Sequence, residues 1–306
     1  MITSFKQLKA MLFEHLEISR IGVVAAQDEH TLDAVVMAAK DGLVWPVLLG
    51  DASLIKQLLA KFECSEDIVE IIDIPSPEEC ALKAAEMVRS GKLDCIMKGK
   101  IQTGAIMKIL VNKEHGIRKS DTMSLLAFIE SPYYKKILGI TDVGLLTYPN
   151  LEQKKGMIEN AKEAFTALGV QNPKIAVLAA VETVNPKMLE TIDADELKRM
   201  NREGIITDCI VEGPISYDLA VDKSAAQVKG YESPVSGDVD LLVVPNIVAG
   251  NLLVKGLICT GGAKTAGIVM GAMVPLVITS RSATVEDKYM SIVLSALVGS
   301  KKGDIK

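Results

Sequence analysis

The chain has 306 residues, which at roughly 150 residues per domain suggests about two domains. A hydrophobic share of 49% and a charged share of 24% belong to a folded globular protein and exclude disordered and collagen-like architectures. The net charge of −5 excludes a general nucleic-acid binder, which needs a basic face, but not a local site for one phosphate group.

Residues 1–16 are amphipathic, with Phe5, Leu8, Leu12 and Leu16 at helical spacing. They lack the uninterrupted apolar core of a signal peptide, so no targeting segment is expected. Strand-like runs follow at Ile21–Ala25, Trp45–Leu49, Val69–Ile72, Cys95–Met97, Ser124–Ile129, Leu138–Thr141 and Ile175–Ala179. More come at Cys209–Val211, Asp240–Val244, Ala266–Met270 and Leu276–Thr279. Several are apolar throughout, the pattern of parallel strands covered on both faces.

Helical segments alternate with these strands. Thr31–Lys40 follows the first. Glu78–Arg89 starts after Ser76-Pro77, an N-cap followed by proline at the first helical position. Leu151–Leu168 follows Pro149-Asn150 and stops at Gly169. Residues 187–203 and 283–298 are also helical. The alternation predicts an α/β fold with a largely parallel sheet. No apolar run reaches the ~20 residues of a membrane-spanning helix. The acidic stretch Asp193–Glu196 reads as a solvated helix face.

Five cysteines without a CxxC pair imply free thiols in a reducing cytoplasm. Three scattered histidines argue against a zinc site, and no metal-ligand cluster stands out. Gly256-Leu-Ile-Cys-Thr-Gly261-Gly262-Ala-Lys264-Thr265 looks like a phosphate loop but fails the spacing, because Gly262 stands where the lysine belongs. It reads as a helix end and a turn. No dinucleotide fingerprint and no nucleophile elbow occur.

The informative segment is Val274-Pro-Leu-Val-Ile-Thr-Ser280-Arg281-Ser-Ala-Thr-Val-Glu286-Asp287. A buried strand ends at Thr279 and a helix begins soon after. Ser280 and Arg281 thus stand at the carboxyl end of a strand, where open α/β sheets place ligands. The helix start offers free N–H groups to a phosphate, and Arg281 offers a bidentate grip. Asp287 either points back toward Ser280 or closes a capping box with Thr284. A second cationic segment, Met97-Lys98-Gly99-Lys100-Ile-Gln-Thr103, again joins a strand to a helix, which carries Lys108. Its lysines either meet an anion near the Gly99 backbone or simply reach solvent. The same choice applies to Arg118.

Further along stand Ile140-Thr-Asp142, Glu212-Gly-Pro214 with Asp218, Ser233-Pro-Val-Ser-Gly237, and Val244-Pro-Asn246 through Gly250-Asn251 to Lys255. In this order and spacing, and with Met97–Thr103, Ser280-Arg281 and Asp287, they resemble the phosphate acetyl/butyryl transferase family over nearly the whole chain. The Met97-Lys98-Gly99 and His115-Gly-Ile-Arg118 segments resemble its butyryl branch. The resemblance implies two α/β/α domains of the isocitrate/isopropylmalate dehydrogenase type, with the active site in the interdomain cleft. The first domain would span 1–139 plus 268–306 and carry Ser280, Arg281 and Asp287; the second would span 140–267. The implied reaction is acyl-CoA + phosphate = acyl phosphate + CoA, by direct transfer through a ternary complex. Coenzyme A is a substrate, and no cofactor or metal is implied.

In that family Asp287 would be the base for the CoA thiol, Arg281 the phosphate ligand and Ser280 a donor to the developing oxyanion. Lys98, Gly99, Lys100, Thr103, Lys108, Arg118, Ser124, Asn246, Asn251 and Lys255 would bind phosphate or CoA. A cytoplasmic homodimer or higher homo-oligomer without nucleic-acid or membrane partners is expected. The alternatives are acetyl transfer, or a metal- and NAD(P)-dependent hydroxyacid dehydrogenase on the same fold.

Overall fold

The computed structural model describes residues 1–14, 18–280 and 282–300, so Leu16 and Arg281 lie outside the described residues. In chain order the first elements are α1 (Phe5–Phe13), β1 (Ser19–Val24), α2 (Glu29–Lys40), β2 (Val44–Gly50), α3 (Ala52–Lys61), β3 (Glu70–Asp73), α4 (Pro77–Arg89), β4 (Cys95–Lys98) and α5 (Thr103–Leu110). Then come β5 (Ser124–Glu130), β6 (Leu138–Thr141), α6 (Leu151–Ala167), β7 (Lys174–Leu178), α7 (Leu189–Arg202), β8 (Ile210–Ile215), α8 (Tyr217–Val221) and α9 (Lys223–Val228). The last are β9 (Leu241–Val243), α10 (Ile247–Cys259), β10 (Lys264–Met270), β11 (Leu276–Val277) and α11 (Val285–Gly299). Every expected strand is present. Helix α3, with only Ile55 and Leu59 buried, has too narrow an apolar stripe to stand out in the sequence.

The chain forms two compact units. The terminal unit comprises residues 5–120 and 266–306; the central unit comprises 121–265 with 1–4. The terminal unit's strands run β3-β2-β1-β4-β11-β10. All neighbours in it are parallel except β10 and β11. Ile21, Val23, Leu48, Leu49, Ile96 and Met97 are buried, as expected of strands covered on both faces. Helix α11 packs beside α2 and under α1, through the Phe5, Leu8 and Leu12 stripe.

The central unit's strands run β5-β6-β9-β7-β8, with only β5 and β6 antiparallel. Ile129, Leu138, Ile140, Ala176, Ile215, Val235, Val239 and Leu242 form its core. Helix α6 starts at the expected place, with a capping box between Asn150 and Gln153. The turn after α10 bends at Gly262 (φ 67°) into β10, so the phosphate-loop look-alike is indeed a helix end and a turn.

Two expectations need correction. The chain leaves the terminal unit at 120/121, not 139/140, and returns at 265/266, not 267/268. The reason is pairing: β5 joins β6 along Leu126–Ile129, and β6 joins β9. Asn160 of α6 also donates to the Thr122 carbonyl at 3.0 Å, which ties the segment before β5 to the central unit. The Asp193–Glu196 stretch is not wholly solvated either. Asp193 is buried and accepts from the Lys154 ammonium at 2.6 Å. This pair clamps α6 to α7.

Removing one partner of a buried ion pair strands the other charge. Asp193→Asn is therefore expected to destabilise the protein by about 3–5 kcal/mol. The double variant Lys154→Met with Asp193→Leu should recover most of that loss, because two apolar side chains of similar volume need no hydrogen bonds. Urea denaturation at neutral pH measures both.

Candidate active site

In the terminal unit β1 leads through α2 to β2 on one side, while β4 pairs on its other side. The strand order therefore reverses between β1 and β4, and open α/β sheets hold ligands at the carboxyl ends of such strands. A depression of about 420 Å³ lies there, lined by Asp28, Pro77, Glu78, Lys98, Gly99, Lys100, Ile101, Gln102 and Ala105. Asp28 caps α2 by accepting from the Thr31 amide at 2.9 Å, Pro77 is the first residue of α4, and Gln102 precedes α5. The starts of three helices thus border one depression.

Gly99 is essential to this geometry, though not for the expected reason. Its amide donates to the Val24 carbonyl at 2.9 Å, and that of Lys100 to Ala25 at 2.8 Å. These N–H groups are occupied and do not face an anion. A Cβ at Gly99 would lie 2.4 Å from the Ala25 oxygen. Ala25 itself adopts φ 54°, a left-handed backbone that non-glycine residues avoid and that clusters at functional sites. The Lys98 ammonium turns inward to the carbonyls of Gly99 (3.1 Å) and Ile101 (3.0 Å). Lys100 and Thr103 are exposed. Lys108 is exposed in the last turn of α5, about 7.5 Å along the axis from Thr103 at 1.5 Å per residue, so it does not line the depression. Arg118 is exposed and donates to the Ser120 carbonyl at 3.0 Å, likewise outside it.

Strand β11 runs parallel to β4, with Val277 beside Met97, so Ser280 emerges at the same end of the sheet. Its exposed hydroxyl is 3.0 Å from that of Ser282. Asp287 closes the capping box: its Oδ2 accepts from the Thr284 amide at 3.0 Å, and its own amide donates to the Thr284 hydroxyl at 3.1 Å. The side chains of Ser280 and Asp287 therefore bond to Ser282 and Thr284, not to each other. The box engages Oδ2 alone and fixes how the carboxylate is presented.

The remaining expected residues belong to the central unit. Ser124 is no surface ligand. It is 1% exposed, and its hydroxyl accepts from Asn160 Nδ2 at 3.0 Å beneath α6. Asn246 caps α10 through the Ala249 amide at 3.0 Å. Asn251 donates to the Val143 carbonyl at 3.3 Å. Lys255 lies one turn further on the same exposed helix face. Sequence reasoning gave no role to Asp142, which organises this region. Its buried carboxylate accepts from the amides of Gly144 and Leu145, both at 2.7 Å, and of Leu125 at 2.8 Å. Burial pushes this carboxyl above its ordinary value, and the amide bonds oppose that rise. The available signal was an aspartate directly after an apolar strand.

Comparison with known proteins decides the lineage. Residues 76–296 match the family model described as phosphate acetyl/butaryl transferase. The chain belongs to the phosphate acetyl/butyryl transferase family. Over 302 residues it is 39% identical to the phosphate butyryltransferase of Clostridium acetobutylicum, covering 99% of this chain and 100% of that one. It is 41% identical to the phosphate acetyltransferase of Thermotoga maritima over 278 residues, 91% of this chain and 94% of the other. Among solved structures, a branched-chain phosphotransacylase from Enterococcus faecalis V583 superposes with a TM-score of 0.82 at 29% identity, covering 92% and 99% of the two chains.

For this family member the strand-end geometry makes a steric prediction. Gly99→Ala puts a methyl group against the Ala25 carbonyl, backbone that cannot swing away as a flexible side chain would. A stability loss of about 1–3 kcal/mol is expected, as for other overpacked sites. A thermal melt of the purified variant against the parent reads it.

Proposed function

We propose that this chain catalyses acyl-CoA + phosphate = acyl phosphate + CoA on short acyl groups, with butyryl preferred. The match to a phosphate butyryltransferase along 99% of the chain carries this reading. The reaction is direct transfer. A phosphate oxygen attacks the thioester carbonyl, the C–S bond breaks, and sulfur leaves and takes a proton. In reverse, the thiol loses its proton, sulfur attacks the acyl carbon, and phosphate departs.

In this proposal Asp287 exchanges the proton with sulfur. A thiol of pKa about 8.5 is mostly protonated at pH 7, so a positioned carboxylate accelerates its attack. The capping box supports the assignment, because it orients the carboxylate through Oδ2. Ser280 donates to the oxyanion that develops on the acyl carbonyl. Arg281 grips phosphate. Phosphate is a good leaving group, so the scheme invokes no covalent intermediate, cofactor or metal. Acetyl transfer is the second reading, favoured by the 41% identity to the Thermotoga maritima acetyltransferase. We further propose a cytoplasmic homodimer. Five free cysteines suit a reducing compartment.

Release of CoA from butyryl-, isobutyryl- and acetyl-CoA in the presence of phosphate tests the reading. The highest kcat/KM is expected with butyryl-CoA, and no release from any of the three would refute it. Activity should survive EDTA undiminished.

Asp287→Asn separates capping from catalysis. The asparagine amide oxygen can still accept from the Thr284 amide, so only the charge at the helix start is lost and stability should change by no more than about 1 kcal/mol. As the thiol's base, Asp287 should be worth about 10²–10⁴-fold in kcat at pH 7, measured in the direction that consumes CoA. The defect should shrink as pH approaches the thiol pKa near 8.5, where CoA ionises unaided. A folded variant with parental kcat at pH 7 would eliminate the base assignment.

A further inference from the structure

Helix α11 buries a largely apolar surface, with Met290, Ile292, Val293, Leu294, Ala296 and Leu297 under cover. Two serines lie among them, Ser291 at 1% and Ser295 at 0% exposure. A hydroxyl buried in such company is costly unless hydrogen bonds meet it. Ser295 donates to the Ile292 carbonyl at 2.9 Å, a bond to its own helix of the kind buried serines commonly make. Ser291 is bonded on two sides. Its hydroxyl donates to the Asp287 carbonyl at 2.7 Å and accepts from the Gly267 amide at 2.9 Å.

Gly267 belongs to β10, which pairs antiparallel with β11 through Val269 and Leu276. Ser291 therefore bridges the sheet to the first turn of α11, where Asp287 stands. Residues 278–284 join β11 to α11 and carry Ser280. At one end this segment leaves β11, which is held by β4 and β10. At the other end it meets a helix start, and helix ends fray unless they are tied down. The capping box closes that start on itself, from Thr284 to Asp287, and bonds it to no strand. The Ser291 hydroxyl supplies that bond, one turn after Asp287 on the same helix face.

We infer that Ser291 is a positioning residue for the reaction: it fixes the Asp287 turn against β10, so that the carboxylate keeps its place relative to Ser280 beyond the end of β11. This rests on the proposed role of Asp287 as base for the CoA thiol. Buried as it is, Ser291 touches no substrate and acts only through Asp287. Proton transfer demands a base at hydrogen-bond distance, and a shift of about 1 Å in a reacting group can cost about 10²-fold in rate.

The test reads kcat in the direction that consumes CoA, with the melting temperature alongside. Ser291→Ala should lower kcat about 10–100-fold and leave KM for CoA and for butyryl phosphate unchanged. Like the defect of Asp287→Asn, this one should shrink as pH approaches the thiol pKa of about 8.5. In the Asp287→Asn background Ser291→Ala should cost nothing further, because residues that act as a unit are not additive. Ser291→Thr, which keeps the hydroxyl, should recover most of the turnover. Ser295→Ala, which removes a buried hydroxyl further along the same helix, should lower the melting temperature and keep the parental kcat. Turnover by the parent judges acyl transfer, and Asp287→Asn judges the base; failure of either removes this inference with it. With both upheld, a parental kcat in Ser291→Ala, or a loss that adds in full to that of Asp287→Asn, overturns it and leaves Ser291 a structural residue. If Ser291→Ala does not fold, Ser291→Cys, whose thiol is a weak donor and a weak acceptor, takes its place under the same criteria.

Discussion

The carboxyl end of the terminal unit's sheet depends on how closely β4 leaves past β1. Parallel pairing continues beyond both strands, because the amides of Gly99 and Lys100 reach the carbonyls of Val24 and Ala25. That approach leaves no room for a Cβ at Gly99 and coincides with the left-handed backbone of Ala25. Holding the two exits together while their helices diverge opens the depression between the starts of α2, α4 and α5. The Lys98 ammonium caps carbonyls of the same loop, so this lysine has a structural task as well as a cationic one.

The central unit meets a similar demand with a side chain. Beyond β6, the Asp142 carboxylate gathers the amides of Leu125, Gly144 and Leu145. A buried carboxylate is tolerated when backbone donors surround it. The loop it shapes is held from the other side by α10. The Ile247 amide donates to the Thr147 carbonyl at 3.1 Å, and Asn251 donates to Val143. Gly250 permits the contact, since a Cβ there would stand 2.6 Å from the Asp142 carbonyl oxygen. In both units the strand-end loops are therefore tightly bonded, and the groups left exposed, such as Ser280, Lys100 and Lys255, stand on a fixed frame.

At Asp287 the capping role and the proposed chemical role need not compete. A capping box satisfies orphan donors at the helix start and stabilises α11. It also orients a carboxylate in the segment that follows β11, which a freely rotating side chain would not do. With a net charge of −5, the protein cannot attract anions through its overall field. Recognition of a phosphoryl group has to come from local donors.

The alternation of apolar runs with capped helices was enough to read the α/β class, because burial of both strand faces leaves an uninterrupted hydrophobic run. Ser76-Pro77, Asn150 and Thr284 all act as helix starts, since capping is a local interaction that the neighbouring residues decide. Other assignments depended on partners distant in sequence. Whether Ser124 faced a ligand or a helix was settled by Asn160, and whether Asp193 was solvated by Lys154. The crossing at 120/121 depended on which strand β6 chose as a neighbour. Gly99 was visible as a glycine, but its crowding carbonyl lies some seventy residues earlier, on Ala25. The sequence by itself determined the elements and their caps, because those arise from contacts a few residues apart. Only the tertiary structure decided which charges and amides remain open to a ligand, because that depends on what long-range packing has already satisfied.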